Sequence, residues 1–468
     1  MLKNKKGITL IALVVTIVVL LILAGISISL IVDKNGIIQK SKDARRIASE
    51  SAKNELDNMN RLIEEMNEVA PEWSGKTTKL PEFKNNETTN KFDWYIYNEP
   101  QMKFFANFVN QTLTAQDEKL MSDKNVTVED IAITEETTIY LMNDLDLGAR
   151  FDENGKLTLG VEWVPVGKDI TNKLLGTFEG NNHYIKGVYV NSDTKFCGIF
   201  GNANTIKNLT VKNSYIEGSN CTGGIAGAVR GGKVENCHNM NTTVVLKEGG
   251  RSAAGIVGQS SANIENCINK GNVISGEEAG LYVGGICGST GVDYVVTISD
   301  CKNEGKVSGV AATGGIIGLL STKGTVEQCS NTGNINITGS GGAGIVGQTN
   351  QKNGQSNSIV RQCYNSGNIS GTGWLGGIVG YFCGQSQQGT VENCYSKGAI
   401  TATNSDNGAI IGKKVQADGN ATFNNLYYLS TIGLYAVNNN QSYESDTVKA
   451  VDDDIKTYEE FLEWIKTK

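Results

Sequence analysis

Histidine is nearly absent, with two in 468 residues. Imidazole is the side chain best placed for acid–base work near neutral pH and the commonest metal ligand, so little scope remains for either chemistry. Proline is scarce at four, and aromatic residues make up 7% of the chain. Positive charge is not in excess: 42 Lys and Arg stand against 49 Asp and Glu, a net charge of −7. A nucleic-acid partner would want a basic face, and that class is set aside. Ten cysteines are present, yet none fall in a Cys-x-x-Cys pair, which removes the usual zinc signature. G-x-S-x-G, H-E-x-x-H and Walker-type loops are missing too. The chain reads as a non-enzyme, with no catalytic residue, cofactor or metal site to nominate.

What is present is repetition. The phrase GGIAG at 223–227 returns as AGIVG at 254–258, GGICG at 284–288, GGIIG at 314–318, AGIVG at 343–347 and GGIVG at 376–380. CGIFG at 197–201 precedes the series and GAIIG at 408–412 closes it. The period is about 30 residues, in the range of stacked-repeat architectures. A second phrase alternates with the first, as in VENCHNMNT from Val234, IENCINKGNV from Ile264 and VEQCSNTGNI from Val326. Each repeat holds short β-rich runs between Gly and Asn turns, too short to bury a face alone, and stacking them makes one continuous core. The expected fold is mainly β: a parallel β-solenoid with helical caps, preceded by a long N-terminal hydrophobic helix. The middle Ile of each glycine phrase should point inward, with flanking glycines supplying positive φ and close backbone approach at a corner. The Asn two residues after each cysteine (Asn239, Asn269, Asn303, Asn331, Asn365) is expected at a left-handed bend, with amides bonding along the stack.

Cys237, Cys267, Cys301, Cys329, Cys363 and Cys394 recur once per repeat at one register. Free cysteine is among the most buried residue types, so an inward ladder of thiols is the preferred reading. Disulfides are the competing one, disfavoured by the parallel Cβ vectors of in-register neighbours. Cys197, Cys221, Cys287 and Cys383 sit beside the glycine corners and are read in the same way.

The N-terminus has a different character. Lys3, Lys5 and Lys6 precede Gly7, and no charge interrupts the run from Ile8 to Val32. That is long enough to span a bilayer, with the lysine end cytoplasmic and the rest outside. The stretch KKGITLIALVVTIVVLLILAG resembles the leader of type IV pilins and pseudopilins. The resemblance implies cleavage by a prepilin peptidase between Gly7 and Ile8, methylation of Ile8, and a pilus or secretion assembly machine as partner. The glutamate usual in that family five residues into the mature chain is here Ala12, which weakens the case for a major filament subunit. A plain anchor helix is the alternative.

The remaining divisions follow composition. Residues 33–69 read as a helical stalk, with Ile47, Leu56, Met59, Leu62, Ile63 and Met66 at helical spacing, and 70–91 as a polar linker. Residues 92–168 read as the N-terminal cap region, with an aromatic helix at PQMKFFANFVN (100–110). Residues 169–430 are assigned to the solenoid, with NLYYLS at 425–430 as its last strand. Residues 431–468 are the C-terminal cap, carried by the helix KTYEEFLEWIK at 456–466. From Trp94 to Lys466 the order FFANFVN, NDLDL, VPVG, GTFEGNNHYIKGVYV, CGIFG, TIKNLTV and the GGI-G series resembles the GLUG-motif family of bacterial surface proteins. That resemblance implies a β-helical scaffold and a place on the cell surface, in proteins that include adhesins and non-catalytic parts of immunoglobulin-cleaving proteases. It supplies no ligand.

Candidate sites are few. Asp144 and Asp146 in NDLDL would share a face on a strand and could hold calcium, although turn chemistry is the preferred reading. Asp33 and Asn35 form part of a calcium-loop pattern that no acid closes. Asp452–Asp454 reads as a solvated turn and His183 as a corner residue. Glu235, Glu265, Glu327 and Glu392 recur at equivalent turns and should form an exposed ladder rather than a catalytic pair. Ladders of Asn, Ser and Thr with Trp374, Tyr364, Tyr381 and Tyr395 suit recognition of a surface glycan or protein. The expected function is that of a pilin-like adhesive protein with a single N-terminal membrane span and an extracellular binding head. A minor pilin of a secretion machine is the alternative, and a polysaccharide-active β-helix a third.

Overall fold

The computed structural model describes residue 73 and residues 75–468, apart from 277–280, 292–293, 322, 350–356, 383–388, 404–405, 415–420 and 439. The expected leader, membrane helix and stalk, including Gly7, Ile8, Val32, Asp33 and Asn35, lie outside the described residues. No helix among the described residues is long and apolar enough to cross a membrane.

The described chain is mainly β, a parallel solenoid of about eight turns with few helices. One coil shows the plan. Strand Ser252–Ala254 leads through the Gly-Ile bend into Val257–Ser260, followed by Asn263–Glu265, Ile268–Asn269 and Val273–Ser275. Each strand pairs in parallel with its counterpart in the next coil, as in Ile264 opposite Ile298 and Val273 opposite Val307. Strands before the bend form one eight-stranded sheet, strands at the end of the coil form another, and the rest join a larger sheet.

The two sequence phrases interlock. Ile199, Ile225, Ile256, Ile286, Ile316, Ile345, Ile378 and Ile410 are all fully buried, as expected. Each contributes roughly 2–3 kcal/mol of burial. The flanking glycines do not have positive φ; they are needed for space. A Cβ on Gly227 would stand 2.6 Å from the backbone nitrogen of Cys197, and one on Gly258 2.6 Å from that of Thr222. The two arms of the bend therefore pack backbone against backbone. A Cβ on Gly285 would stand 2.3 Å from Oδ1 of Asn303, and one on Gly315 2.5 Å from Oδ1 of Asn331. The glycine of one phrase makes the room that the asparagine of the other fills.

That asparagine is not at the left-handed bend. The positive-φ residue lies just before the cysteine, at Asn236, Asn266, Asp300, Gln328, Gln362 and Asn393, with φ of 51–54°. Asn239, Asn269, Asn303, Asn331 and Asn365 are instead fully buried. Their amides do bond along the axis: Asn269 Nδ2 donates to Asn303 Oδ1 at 2.8 Å, Asn303 to Asn331 at 2.7 Å and Asn331 to Asn365 at 2.8 Å. Ser396 Oγ ends the row, 3.3 Å from Asn365 Nδ2. An amide inside a core costs free energy unless satisfied, and stacking satisfies it.

The nine described cysteines are unpaired and buried. Each thiol of the ladder donates to the carbonyl two residues earlier, for example Cys301 to Ser299 at 3.1 Å and Cys329 to Glu327 at 3.2 Å. The left-handed residue between them turns that carbonyl toward the sulfur.

Both ends depart from expectation. Residues 82–86, read as part of a linker, form β1 (Glu82–Asn86), antiparallel to β2 (Lys91–Ile96). Its polar residues face outward, and Phe83 alone packs inward on Trp94, with ring centroids 4.9 Å apart. Parallel stacking starts inside the stretch assigned to the cap, because β2 pairs with β3 (Thr138–Leu141) and β3 with Leu174–Glu179. The aromatic helix, α1 (Glu99–Val109), is capped by the Asn98 side chain and buries Phe104 and Phe105. Trp94, Phe105, Phe178 and Phe200 then continue as a file of rings up the core, with successive centroids 5.7, 6.1 and 4.8 Å apart. A short α2 (Ala115–Ser122) follows α1, opened by a capping box between Thr114 and Asp117.

At the other end Thr422–Leu429 is not the last strand, since Val448–Val451 pairs beyond it. Nor does the tail helix α3 (Tyr458–Ile465) cover the end. It lies along the side of the solenoid, with Phe461 packed on Tyr364 and Tyr395 and Trp464 on Tyr395 and Tyr427. The end strand is met instead by backbone, with Ala409 and Ile410 donating to Tyr435 and Ala436.

Candidate ligand-binding face

The predicted sites fall into spent groups and available ones. Asp144 and Asp146 do not converge. Asp144 accepts from the Tyr184 backbone at 3.0 Å and lies 3.1 Å from His183 Nδ1, while Asp146 meets Arg150 at 3.0 Å and Lys186 at 3.4 Å. Those hydrogen bonds and cations hold the Asp146 carboxyl below the usual range against its partial burial. A shared calcium site is not what they form. The glutamates align as expected, in the register Glu235, Glu265, Ser299, Glu327, Arg361, Glu392, but only Glu265 is exposed and the other three are half-buried. Ser299 and Arg361 break up the like charges, with Arg361 Nε 2.7 Å from Glu327 and Lys233 2.6 Å from Glu235. Asp452–Asp454 is more than a solvated turn: Asp453 accepts from Trp464 Nε1 at 2.9 Å and Asp454 from Lys397 at 2.6 Å.

The thiols are chemically quiet. Burial pushes Cys221 up to about 11 and Cys287 up to about 12, and Cys237, Cys267, Cys301, Cys329 and Cys394 rise for the same reason. A thiol held protonated is a poor nucleophile and a poor metal ligand. Tyr364 and Tyr395 lie beneath α3, their hydroxyls donating to backbone carbonyls of Ile455 and Asp453, and are not free for a ligand. A pocket of about 460 Å³ lies by α1, lined largely by aliphatic groups such as Val109, Leu113 and Ile133. Lys173 at its edge is spent on the Arg230 carbonyl at 2.5 Å.

Trp374 and Tyr381 form a second aromatic pair. Both are half-exposed, and their rings stack with centroids 4.6 Å apart at 25°. Lys413 Nζ stands 4.5 Å over Trp374 and is neutralised by Asp406 at 3.1 Å. Trp374 immediately precedes the strand Leu375–Gly376 before the Gly-Ile bend, and Tyr381 lies in the strand after it, so the bend itself brings them together.

The residues just before Trp374 were not singled out from the sequence, although their pattern was readable. NINIT at 334–338, NISGT at 368–372 and AITAT at 399–403 alternate polar and apolar positions, the signature of a half-buried strand. Ile335, Ile337 and Ile369 point in. The outward positions stack in register: Asn334 with Asn368 and Ala399, Asn336 with Ser370 and Thr401. Thr338, Thr372 and Thr403 continue the same alignment and are exposed. Asn334 Oδ1 accepts from the Asn368 backbone at 3.2 Å, and Asn368 Oδ1 from that of Ala399 at 3.0 Å. Each oxygen is thus occupied, which leaves the amide nitrogen facing solvent. These positions carry no charged side chain.

The corner between this face and the aromatic pair is stripped of bulk. Gly371 and Gly373 have φ of 138° and 86°, and a Cβ on either would fall within 2 Å of a carbonyl of the preceding coil. Among the described residues, glycine at 371 and 373 leaves no Cβ between amides and rings. The arrangement defines a β-solenoid with an uncharged amide and hydroxyl face that runs into an aromatic corner.

No protein-family profile matches the chain. No curated protein matches it. Among solved structures it is similar to the crystal structure of a Bacteroides ovatus protein provisionally named an immunoglobulin A1 protease, at 16% sequence identity and a TM-score of 0.34, over 78% of this chain and 83% of that one.

Proposed function

We propose that this protein is a pilin-like, GLUG-type surface protein that displays its β-solenoid as a non-enzymatic adhesive head for a glycan or protein ligand. The observation that carries the reading is the uncharged face of Asn334, Asn336, Asn368, Ser370 and Thr401 beside the Trp374–Tyr381 pair. Half-exposed rings with adaptable amides and hydroxyls are the chemistry of recognition surfaces. Among the described residues the acids are dispersed along the solenoid, several of them paired with cations, which supports a binding role over hydrolysis. The leader Met1–Gly7 and the apolar run Ile8–Val32 support export, prepilin-peptidase cleavage before Ile8, and tethering to the membrane or to a pilus.

The test is adhesion by cells that express the full chain, set against cells expressing the Trp374→Ala, Asn368→Lys double variant at equal surface density. Loss of attachment to a defined glycan or matrix protein is expected. Attachment that is equal in the two, or absent in both across broad panels, counts against the adhesive role.

A further inference from the structure

The face on coils six to eight differs from the rest of its sheet. In earlier coils the matching outward positions mix Asn191, Thr243, Asn272 and Ser308 with Glu217, Lys247, Ile274 and Lys306, so charged or apolar residues interrupt the polar ones. Across the last three they carry only amides, hydroxyls and Ala399. Within these three coils a charged ligand would find no counter-charge: Lys306 adjoins Asn334 only from coil five, and Lys413 is committed to Asp406 and to the Trp374 ring. A neutral ligand rich in hydroxyls fits. The amide nitrogens of Asn334 and Asn368 have no protein partner among the described residues, and they lie in successive coils, with Ala399 at that place in the third.

We infer that this face and corner bind an extended, neutral β-1,4-linked hexopyranose chain lying along the solenoid axis, with one sugar ring against Trp374 and Tyr381. The inference rests on the adhesive reading above and names its ligand. Coils stack about 4.8 Å apart, close to the rise per sugar of such a chain, so each coil meets one sugar; alternate sugars of a β-1,4 chain are turned over, and the same edge returns every second coil. A pyranose ring carries C–H bonds on its faces and hydroxyls at its edge. The aromatic corner takes a face, and the Asn, Ser and Thr rows take the edges. Several weak, repeated contacts add up only when the ligand is long enough to span the rows.

The experiment measures binding of the full-length protein to cellohexaose, mannohexaose and chitohexaose by calorimetry and by Trp fluorescence. Glucose serves as the short control and polygalacturonate as the charged one. At least one hexasaccharide is expected to bind, with glucose weaker by tenfold or more and little change between low and high salt. Asn368→Asp and Ser370→Lys, both on the outer surface and harmless to the core, should each weaken binding about tenfold, and Trp374→Ala more, with Trp374→Phe recovering part of the loss. If the hexasaccharides fail to bind while a protein or an acidic glycan binds through Asn368 and Trp374, the ligand class is overturned and the adhesive reading stands. If intact protein binds no ligand of any class, both fall. Hexasaccharide binding unchanged in all four variants overturns the assignment of the site.

Discussion

At the scale of single residues, the buried asparagines carry more than their share. Asn303 both accepts from Asn269 and donates to Asn331 and to the Gly305 carbonyl. Replacing it with leucine strands a buried donor on one side and acceptors on the other, at a cost of about 3 kcal/mol or more. Asn303→Ser should cost less, since Ser396 fills the equivalent place in the last coil. Denaturant unfolding of the two variants distinguishes these outcomes. The cysteines should behave in the opposite way. Their thiols are sheltered and bonded only weakly to carbonyls, so Cys329→Ser is expected to change stability by no more than about 2 kcal/mol. A maleimide should label Cys237, Cys267, Cys301, Cys329, Cys363 and Cys394 only on unfolding. Rapid labelling of the native protein would contradict the ladder.

Among the elements, the C-terminal segment is the one whose role changes most once its place is known. It spans several coils: Glu459 reaches Lys302 at 3.2 Å, Tyr458 reaches the Gln362 carbonyl at 3.3 Å, and Trp464 packs on Tyr427. In a stacked array each coil otherwise touches only its neighbours, so a strap of this kind couples coils that would fray separately. Phe461→Ala removes its fully buried ring and should cost about 3–4 kcal/mol, seen first as faster hydrogen exchange in the last coils. The strap should also release in alkali. Burial moves Tyr364 from 10.0 up to about 12, and its hydroxyl donates to the Ile455 and Lys456 carbonyls. A raised pKa means a contribution complete below pH 10.0 and lost as pH climbs through about 12. Tyrosine absorbance and exchange at Tyr364 should change together over that window, and a Tyr364→Phe variant should lose the coupling.

For the whole molecule, the leading question is how the solenoid is presented. Mass spectrometry of the mature N-terminus answers it, carried out separately on material sheared from the surface and on membranes. The pilin-like reading predicts a chain that begins with N-methylated Ile8 in the sheared fraction. An intact Met1–Gly7 confined to membranes would mean a simple anchor helix and would remove the pilin half of the proposal, leaving the binding face untouched.

The repeat itself was legible because its causes are local in the sequence. A coil must bend where an inward Ile is flanked by glycines, and must place an apolar residue inward at every second position of each strand. Period, inward isoleucines, the cysteine ladder and the glutamate ladder all follow from that rule. What it could not reveal depends on contacts between residues far apart in the chain. The bend before each cysteine and the burial of the asparagine after it are set by which neighbour makes room, here a glycine 14–21 residues earlier, as Gly285 for Asn303. A polar stretch such as 82–86 becomes a strand because one phenylalanine meets Trp94. Tyr364 and Tyr395 read like ligand platforms until α3 is found on top of them, while Trp374 and Tyr381 become a pair only because a tight bend folds two strands together. Alternation along one strand is written in the sequence; the alignment of three strands into an uncharged face is decided by stacking.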